Sequence, residues 1–306
     1  MLNNLPKKVR IIEVGPRDGL QNEKTIVSLV DKLEFIKGLS AAGLIDIETT
    51  SFVNPLKIAQ MSDGSELFTH LKTEQSLTHN HLISLVPNRK GMEDALKCGV
   101  KDIAVFTSTS NTFNHKNINA TIDESLVRIE EVMALAHQNK IRTRGYISTV
   151  FGCPYEGKTD LKELMRIAHK LKDFGVYEIS LGDTIGVANP LQVKKVIEYL
   201  AQEFDLGFFS MHFHDTRAMA VANVLTSLEM GLTSFDSSAG GLGGCPYALG
   251  ASGNVATEDL YYLFHSMGIE TGINIEKLIL ATTTMLSKLN HEGPSKFLKA
   301  YQNTGM

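Results

Sequence analysis

The chain has 306 residues, of which 43% are apolar and 21% charged, with a net charge of -4 and a pI near 6.2. No basic stripe suits nucleic acid, no acidic tail suggests disorder, and no apolar run approaches the roughly 20 residues that span a bilayer. Cys98, Cys153 and Cys245 form no paired framework and read as reduced thiols; the opening MLNNLPKKVRIIEVG carries no signal-peptide pattern, which favours the cytoplasm, although a chain trimmed of its leader would read the same.

In chain order, short β-branched or aromatic runs alternate with helical periodicities. The first run, Val9–Val14, ends in Gly15-Pro16-Arg17-Asp18-Gly19. There an Arg and an Asp stand side by side as a fixed cation and a metal-capable carboxylate; a surface turn with a local ion pair is the plain alternative. A helix is expected over Thr25–Ala42, with Val27, Val30, Leu33, Phe35, Ile36 and Leu39 as its apolar stripe and Gly43 as its stop. The second run, Ile45–Thr50, holds Glu48 in an otherwise apolar strand. A carboxylate there faces a polar site, bonds to the neighbouring hydroxyls of Thr49, Thr50 and Ser51, or costs burial energy. Runs at His81–Val86 and Asp102–Phe106 follow, and Cys98 ends a helix pattern before Gly99 and reads as core. Lys116, after the fourth run, reads equally as a phosphate contact and as a surface lysine and is set aside. Helical periodicity at Leu126–Ala136 precedes the fifth run, Thr143–Val150, and nothing forces the following Cys153 into a site.

The helix Leu161–Leu171 leads to the sixth run, Val176–Leu181, which ends in Gly182-Asp183-Thr184, so Asp183 repeats the Glu48 pattern. After the helix Leu191–Leu200, the seventh run, Phe208–Phe213, carries the sharpest signal, His212-Phe213-His214-Asp215. Side chains alternate along a strand, so His212 and His214 share one face and form a two-imidazole metal edge. A lone His is more often ordinary core; the spaced pair favours metal. No thiolate cluster accompanies it, which disfavours structural zinc. Two imidazoles with a carboxylate and an amide oxygen suit Mg²⁺ or Mn²⁺. The helix Ala218–Leu228 and the eighth run, Ser234–Ser238, lead into a glycine-rich stretch that ends in Gly244-Cys245-Pro246-Tyr247, an echo of Gly152–Tyr155. A thiol at the tip of such a loop suits a delivered acid or base, and an incidental thiol on a permissive turn is the alternative. Asn254 offers an amide oxygen near the same place, although a helix N-cap is the commoner role. Helices at Glu258–Ser266 and Ile275–Lys288 end the pattern.

Strand alternating with helix eight times implies a (β/α)₈ TIM barrel, an α/β fold, as one catalytic domain over residues 1–306 with capping helices from about residue 258. An open Rossmann-like sheet is the lesser alternative, because the glycine-rich stretch lies near the end of the chain rather than after the first strand. On such a barrel the C-terminal strand ends carry the site, and the polar residues above fall at those ends.

Val14-Gly15-Pro16-Arg17-Asp18-Gly19-Leu20-Gln21-Asn22-Glu23, Glu48-Thr49-Thr50-Ser51-Phe52-Val53, Gly152–Lys158, Ser180–Gly186, His212–Thr216, Gly241–Tyr247 and Gly250–Asn254 resemble, in order, the motifs of 3-hydroxy-3-methylglutaryl-CoA lyases. The first half of the opening motif is shared by a wider group of metal-dependent barrel lyases and synthases; Gly-Leu-Gly-Gly-Cys-Pro-Tyr is more specific. The resemblance implies a divalent-metal-dependent carbon–carbon lyase that cleaves 3-hydroxy-3-methylglutaryl-CoA to acetyl-CoA and acetoacetate in leucine degradation and ketone body formation, as a homodimer. It implies Asp18, His212, His214 and Asn254 as metal ligands and Arg17 as the residue facing the thioester oxygen. It also implies Glu48 and Asp183 as polar active-site residues, with Asp183 or Glu48 relaying a proton, a task His212 could share, and Cys245 as the catalytic thiol. Many relatives have an aromatic residue or Arg and then Gly after His-Asp-Thr, whereas this chain has Arg217-Ala218, which touches local helix packing rather than the metal site. A related synthase or aldolase is the alternative enzyme, disfavoured by the thiol loop and by the lack of a long C-terminal regulatory extension. A catalytically inactive scaffold is disfavoured because nothing physical would keep these charges in a barrel mouth.

Overall fold

In the computed structural model, which describes residues 5–244 and 253–304, the strand runs pair in sequence order into a closed parallel barrel, β1 to β8. β1 (Arg10–Glu13), α1 (Leu29–Ala41), β2 (Asp46–Ser51), α2 (Gly64–Leu71), β3 (His81–Leu85) and α3 (Arg89–Cys98) form the first part. β4 (Asp102–Ser108), α4 (Asn111–Ile118), α5 (Ile122–Gln138), β5 (Arg142–Ser148), α6 (Leu161–Asp173) and β6 (Glu178–Asp183) continue it. α7 (Pro190–Leu200), β7 (Phe209–Phe213), α8 (Ala220–Glu229), β8 (Ser234–Ser237), α9 (Thr257–Ser266), α10 (Ile275–Leu289) and α11 (Lys296–Thr304) complete it. β8 returns to β1 in register, with Arg10 beside Ser234 and Glu13 beside Ser237. The open-sheet alternative is thereby excluded.

Local chemistry sets the helix starts. Ser28 accepts from the Asp31 N–H and opens α1, so the helix expected from Thr25 begins four residues later. Thr121 with Glu124 and Asn189 with Gln192 form capping boxes at α5 and α7. Val30, assigned to the buried stripe of α1, is 65% exposed. The inward face is carried by Phe35, Ile36, Leu39 and Lys32, whose ammonium is buried against Asp63 at 2.7 Å. The stripe misplaced Val30 because the helix phase is set by packing on α10, α2 and the barrel rather than by apolarity alone. α2, α4 and α11 were not expected. α4 is made of weak helix formers and stands on its ends, capped by Ser110 and closed by Asn119 at a φ of 50°.

The main apolar core lies between the strands and the surrounding helices. Inside the barrel a second, smaller cluster of Ile12, Val14, Ile83, Leu85 and Ala104, joined by Tyr146 of β5 and with Phe106 against it, fills the side formed by β1, β3 and β4. The side formed by β5 to β8 is ionic instead, with Arg144, Glu178 and Asp236 all buried. α10 lies against α1 so closely that a Cβ at Gly38 would stand 2.8 Å from that of Ala281. Among the described residues, no helix is long and apolar enough to cross a membrane.

Candidate active site

β1 runs into a single π-helical turn, Gly15–Gly19, opened by Pro16. A Cβ at Gly15 would lie 2.5 Å from Glu13 Oε1, and one at Gly19 2.7 Å from Ser238 Oγ, so the chain must be bare there to turn this tightly. The turn sets Arg17 and Asp18 in the barrel mouth. Arg17 Nη1 lies 2.6 Å from Asp18 Oδ1, and Nη2 lies 2.6 Å from Glu48 Oε2. The Arg17 Nε is buried with no partner, and so is Glu48 Oε1. Burial pushes the Glu48 pKa up, against the pull of Arg17.

β7 places the two imidazoles on one face, and Phe213 between them turns outward to pack on Phe151. Asp18, His212 and His214 offer three ligand atoms that lie within 4.8 Å of one another. Nδ1 of His212 faces Asp236 Oδ2 at 3.2 Å, and its Nε2 stands 4.0 Å from Asp18 Oδ2. Nδ1 of His214 is buried without a partner. Burial works against the Asp18 charge, but Arg17, His212, His214 and the Asn254 hydrogen bond hold the carboxyl well below its usual range. Burial and the neighbouring His212 push His214 down to about 4, so it is neutral at pH 7, the form that ligates. Burial lowers His212 as well, but the hydrogen bond and charge of Asp236 outweigh it and raise the pKa. One ionised carboxylate, two imidazoles and a buried unsatisfied nitrogen fit a divalent cation.

Asn254 returns to this cluster through a bridge to His214. Its amide donates to Asp18 Oδ2 at 2.8 Å and to the Leu242 carbonyl at 3.2 Å. Asp183 is arranged differently. Its two oxygens accept the N–H groups of Val187 at 2.9 Å and Ala188 at 3.0 Å, and burial lifts its pKa to about 6. Cys245 lies outside the described residues. The carbonyl of the preceding Gly244 accepts from Asn22 Nδ2 at 2.9 Å. Cys98 is buried as expected, and Cys153 is buried with its thiol toward Ser110 Oγ at 3.1 Å.

Asp236, Arg144 and Tyr146 were not singled out from the sequence. Arg144 Nη2 donates to Asp236, and the Tyr146 hydroxyl donates to Glu48 Oε2 at 3.2 Å. A signal existed: Arg144 and Asp236 are charges in the middle of strands flanked by residues of alternating type, where burial demands a partner. A cleft of about 740 Å³ opens over the cluster, lined by Arg17, Asp18, Tyr146, His212 and His214, and runs outward past Asn54, Lys57 and Lys116.

The fold and the site define a TIM-barrel enzyme with a candidate divalent-metal centre at its C-terminal mouth. The HMGL-like family matches residues 8–285. Over 299 residues the chain is 46% identical to a hydroxymethylglutaryl-CoA lyase of Bacillus subtilis, covering 98% of this chain and 99% of that protein. A crystal structure of hydroxymethylglutaryl-CoA lyase from Pseudomonas aeruginosa superposes with a TM-score of 0.94 at 44% identity, covering 99% of this chain and 100% of that one. An HMG-CoA lyase from Acinetobacter baumannii, solved with coenzyme A and 3-methylmalate, gives 0.92 at 37% identity, over 98% of this chain and 97% of that one. The chain belongs to the HMGL-like family, and it is a lyase.

Proposed function

We propose that this lyase cleaves 3-hydroxy-3-methylglutaryl-CoA to acetyl-CoA and acetoacetate, using Mg²⁺ or Mn²⁺ held by Asp18, His212, His214 and Asn254. The observation that carries the reading is the Asp18–His212–His214 cluster with Arg17 beside it, within 2.6 Å of Asp18. The names of the relatives support it, as does the coenzyme A bound by the Acinetobacter enzyme. As part of the same reading, residues 1–306 form one catalytic domain, the protein is a cytoplasmic homodimer, and it serves leucine degradation.

Asp18, His212, His214 and Asn254 would hold the cation, which would supply Lewis-acid chemistry that lowers the pKa of the substrate's hydroxyl. Arg17 stabilises the charge that develops on the thioester oxygen, a role in which a preorganised donor supplies about 3–4 kcal/mol. Asp183 accepts the tertiary hydroxyl proton, since a carboxyl at about 6 is ionised at neutral pH yet more basic than an exposed one. Glu48, through its unpartnered Oε1, is the second acceptor, and His212 could share the task. As the hydroxyl oxygen forms the ketone of acetoacetate, the carbon–carbon bond breaks and its electron pair stays on the acetyl-CoA fragment as an enolate. The Cys245 thiol then protonates that carbon.

Incubation with 3-hydroxy-3-methylglutaryl-CoA, with Mg²⁺ or with EDTA, tests this reading. Acetyl-CoA and acetoacetate in equal amounts, lost with EDTA, is the expected result. Intact thioester in the presence of Mg²⁺ or Mn²⁺ would refute it.

A further inference from the structure

Arg144 lies mid-strand in β5, at the centre of the barrel and fully buried. Each of its three nitrogens has a partner. Nε donates to Glu178 Oε1 at 2.7 Å, Nη1 to the Tyr146 hydroxyl at 2.9 Å, and Nη2 to both Asp236 Oδ1 and Ser210 Oγ. From below, Glu178 is itself held by Arg10 and Ser234, so the guanidinium has a fixed footing.

The two upper ends of the fork lead to different halves of the site. Asp236, bonded to Arg144 through one oxygen, turns the other to Nδ1 of His212 at 3.2 Å and to the Ser180 hydroxyl at 2.8 Å. A carboxylate that accepts on both sides requires the proton on Nδ1 of His212 and leaves its Nε2 lone pair facing Asp18. On the other side, the Tyr146 hydroxyl has one proton. It accepts from Arg144 and therefore donates to Glu48 Oε2, the oxygen that also meets Arg17 Nη2 at 2.6 Å.

We propose that Arg144 is the positioning residue of this site, one planar fork that fixes the tautomer of His212 through Asp236 and the placement of Glu48, and hence of Arg17, through Tyr146. Stability alone does not account for such a group. Replacing a buried ion network by well-packed apolar side chains is commonly neutral or stabilising, and the opposite side of this same barrel is filled by Ile12, Ile83, Leu85 and Phe106. A charged fork set below both the metal cluster and Arg17 is explained by orientation. Only a planar guanidinium reaches Glu178, Tyr146 and Asp236 at once; an ammonium is a point charge with no such geometry.

The inference rests on the proposed metal reading, and its test separates the two. Arg144→Lys and Asp236→Asn are compared with the wild type by Mn²⁺ calorimetry, thermal melting and steady-state kinetics. Arg144→Lys is expected to melt cooperatively, to bind Mn²⁺ about tenfold or more weakly, and to lose about a hundredfold in kcat with KM for the CoA ester little changed. A merely structural arginine would lower the melting temperature and leave the Mn²⁺ affinity and kcat of the folded protein as they were, and that result would overturn the proposal. Should Arg144→Lys not fold, Asp236→Asn, which keeps the shape of the side chain, decides: unchanged Mn²⁺ affinity there overturns it equally. Absence of Mn²⁺ binding by the wild type would instead refute the metal reading, and this inference with it.

Discussion

Asp236 meets Nδ1 of His212 at 3.2 Å, while Nε2 of the same ring stands 4.0 Å from Asp18. One carboxylate thus orients the ring and another shares its open edge, the arrangement by which outer partners tune metal-binding imidazoles. His214 has no such partner, and its buried Nδ1 is unsatisfied. In the proposed metal site each imidazole is half of a two-nitrogen edge, and loss of either would leave too few strong ligands. His214→Ala is expected to weaken Mn²⁺ binding by about a hundredfold and to lower activity in step. Calorimetry showing near-normal affinity in this variant would remove His214 from the ligand set.

Arg17 uses one nitrogen for Asp18 and another for Glu48, at 2.6 Å each. Arg17→Lys keeps the charge and loses the fork. Turnover should fall by about 10²–10³-fold while substrate affinity changes little, because the interaction proposed for Arg17 would strengthen as charge develops on the thioester oxygen. Near-normal kcat would leave Arg17 a structural turn residue.

Burial raises Asp183 from 3.8 to about 6 despite the two N–H groups it accepts. The relay role proposed for it needs the ionised form, so kcat/KM at saturating Mn²⁺ should fall as pH drops through about 6. Its effect on stability has the opposite sense. The folded protein holds this proton more tightly than the unfolded chain, so the contribution is complete below 3.8 and is lost as pH rises through about 6. Asp183→Asn should lose about a hundredfold or more in turnover and the acid limb with it. An unaltered pH–rate profile in that variant would assign the limb to another group, with Glu48 next to be tested.

The thiol of Cys245 is tested by Cys245→Ser. A hydroxyl is a far weaker acid than a thiol of ordinary pKa about 8.5, so turnover should collapse while Mn²⁺ and substrate still bind. Alkylation should inactivate the wild type, more slowly when substrate is bound. Cys98 and Cys153 are buried and should react little. A serine variant with most of its activity would mean that the enolate takes its proton elsewhere.

Ala218 follows the His-Asp-Thr-Arg segment and adopts a left-handed φ of 55°. That conformation costs roughly 1–2 kcal/mol in a residue with a Cβ. Glycine would relieve it at roughly 0.4–1 kcal/mol of added unfolded-state entropy. Ala218→Gly should therefore stabilise the protein by about 0.5–1 kcal/mol, with activity unchanged. The neighbouring Arg217, bonded to the carbonyls of Ile185 and Gly186 at 3.0 and 2.9 Å, keeps the turn in place. A urea midpoint that does not rise would show that the strain is already relieved locally.

The sequence by itself determined what depends on near neighbours. Strand alternation put His212 and His214 on one face, and adjacency put Arg17 beside Asp18 at the end of the first strand. The recurrence of strand and helix set the barrel. Only the tertiary structure decided the rest. The contact between Arg144 and Asp236 spans 92 positions and exists because closure and register bring β5, β6, β7 and β8 around one interior. The helix phase that exposes Val30 and buries Lys32 against Asp63, and the turning of Asp183 toward Val187 and Ala188, likewise depend on neighbours distant in sequence or on the path of a loop. Strand alternation fixes which side chains share a face. Which charge a side chain meets there is fixed by strand register and packing, because a buried ion is tolerated only where the folded chain brings it a partner.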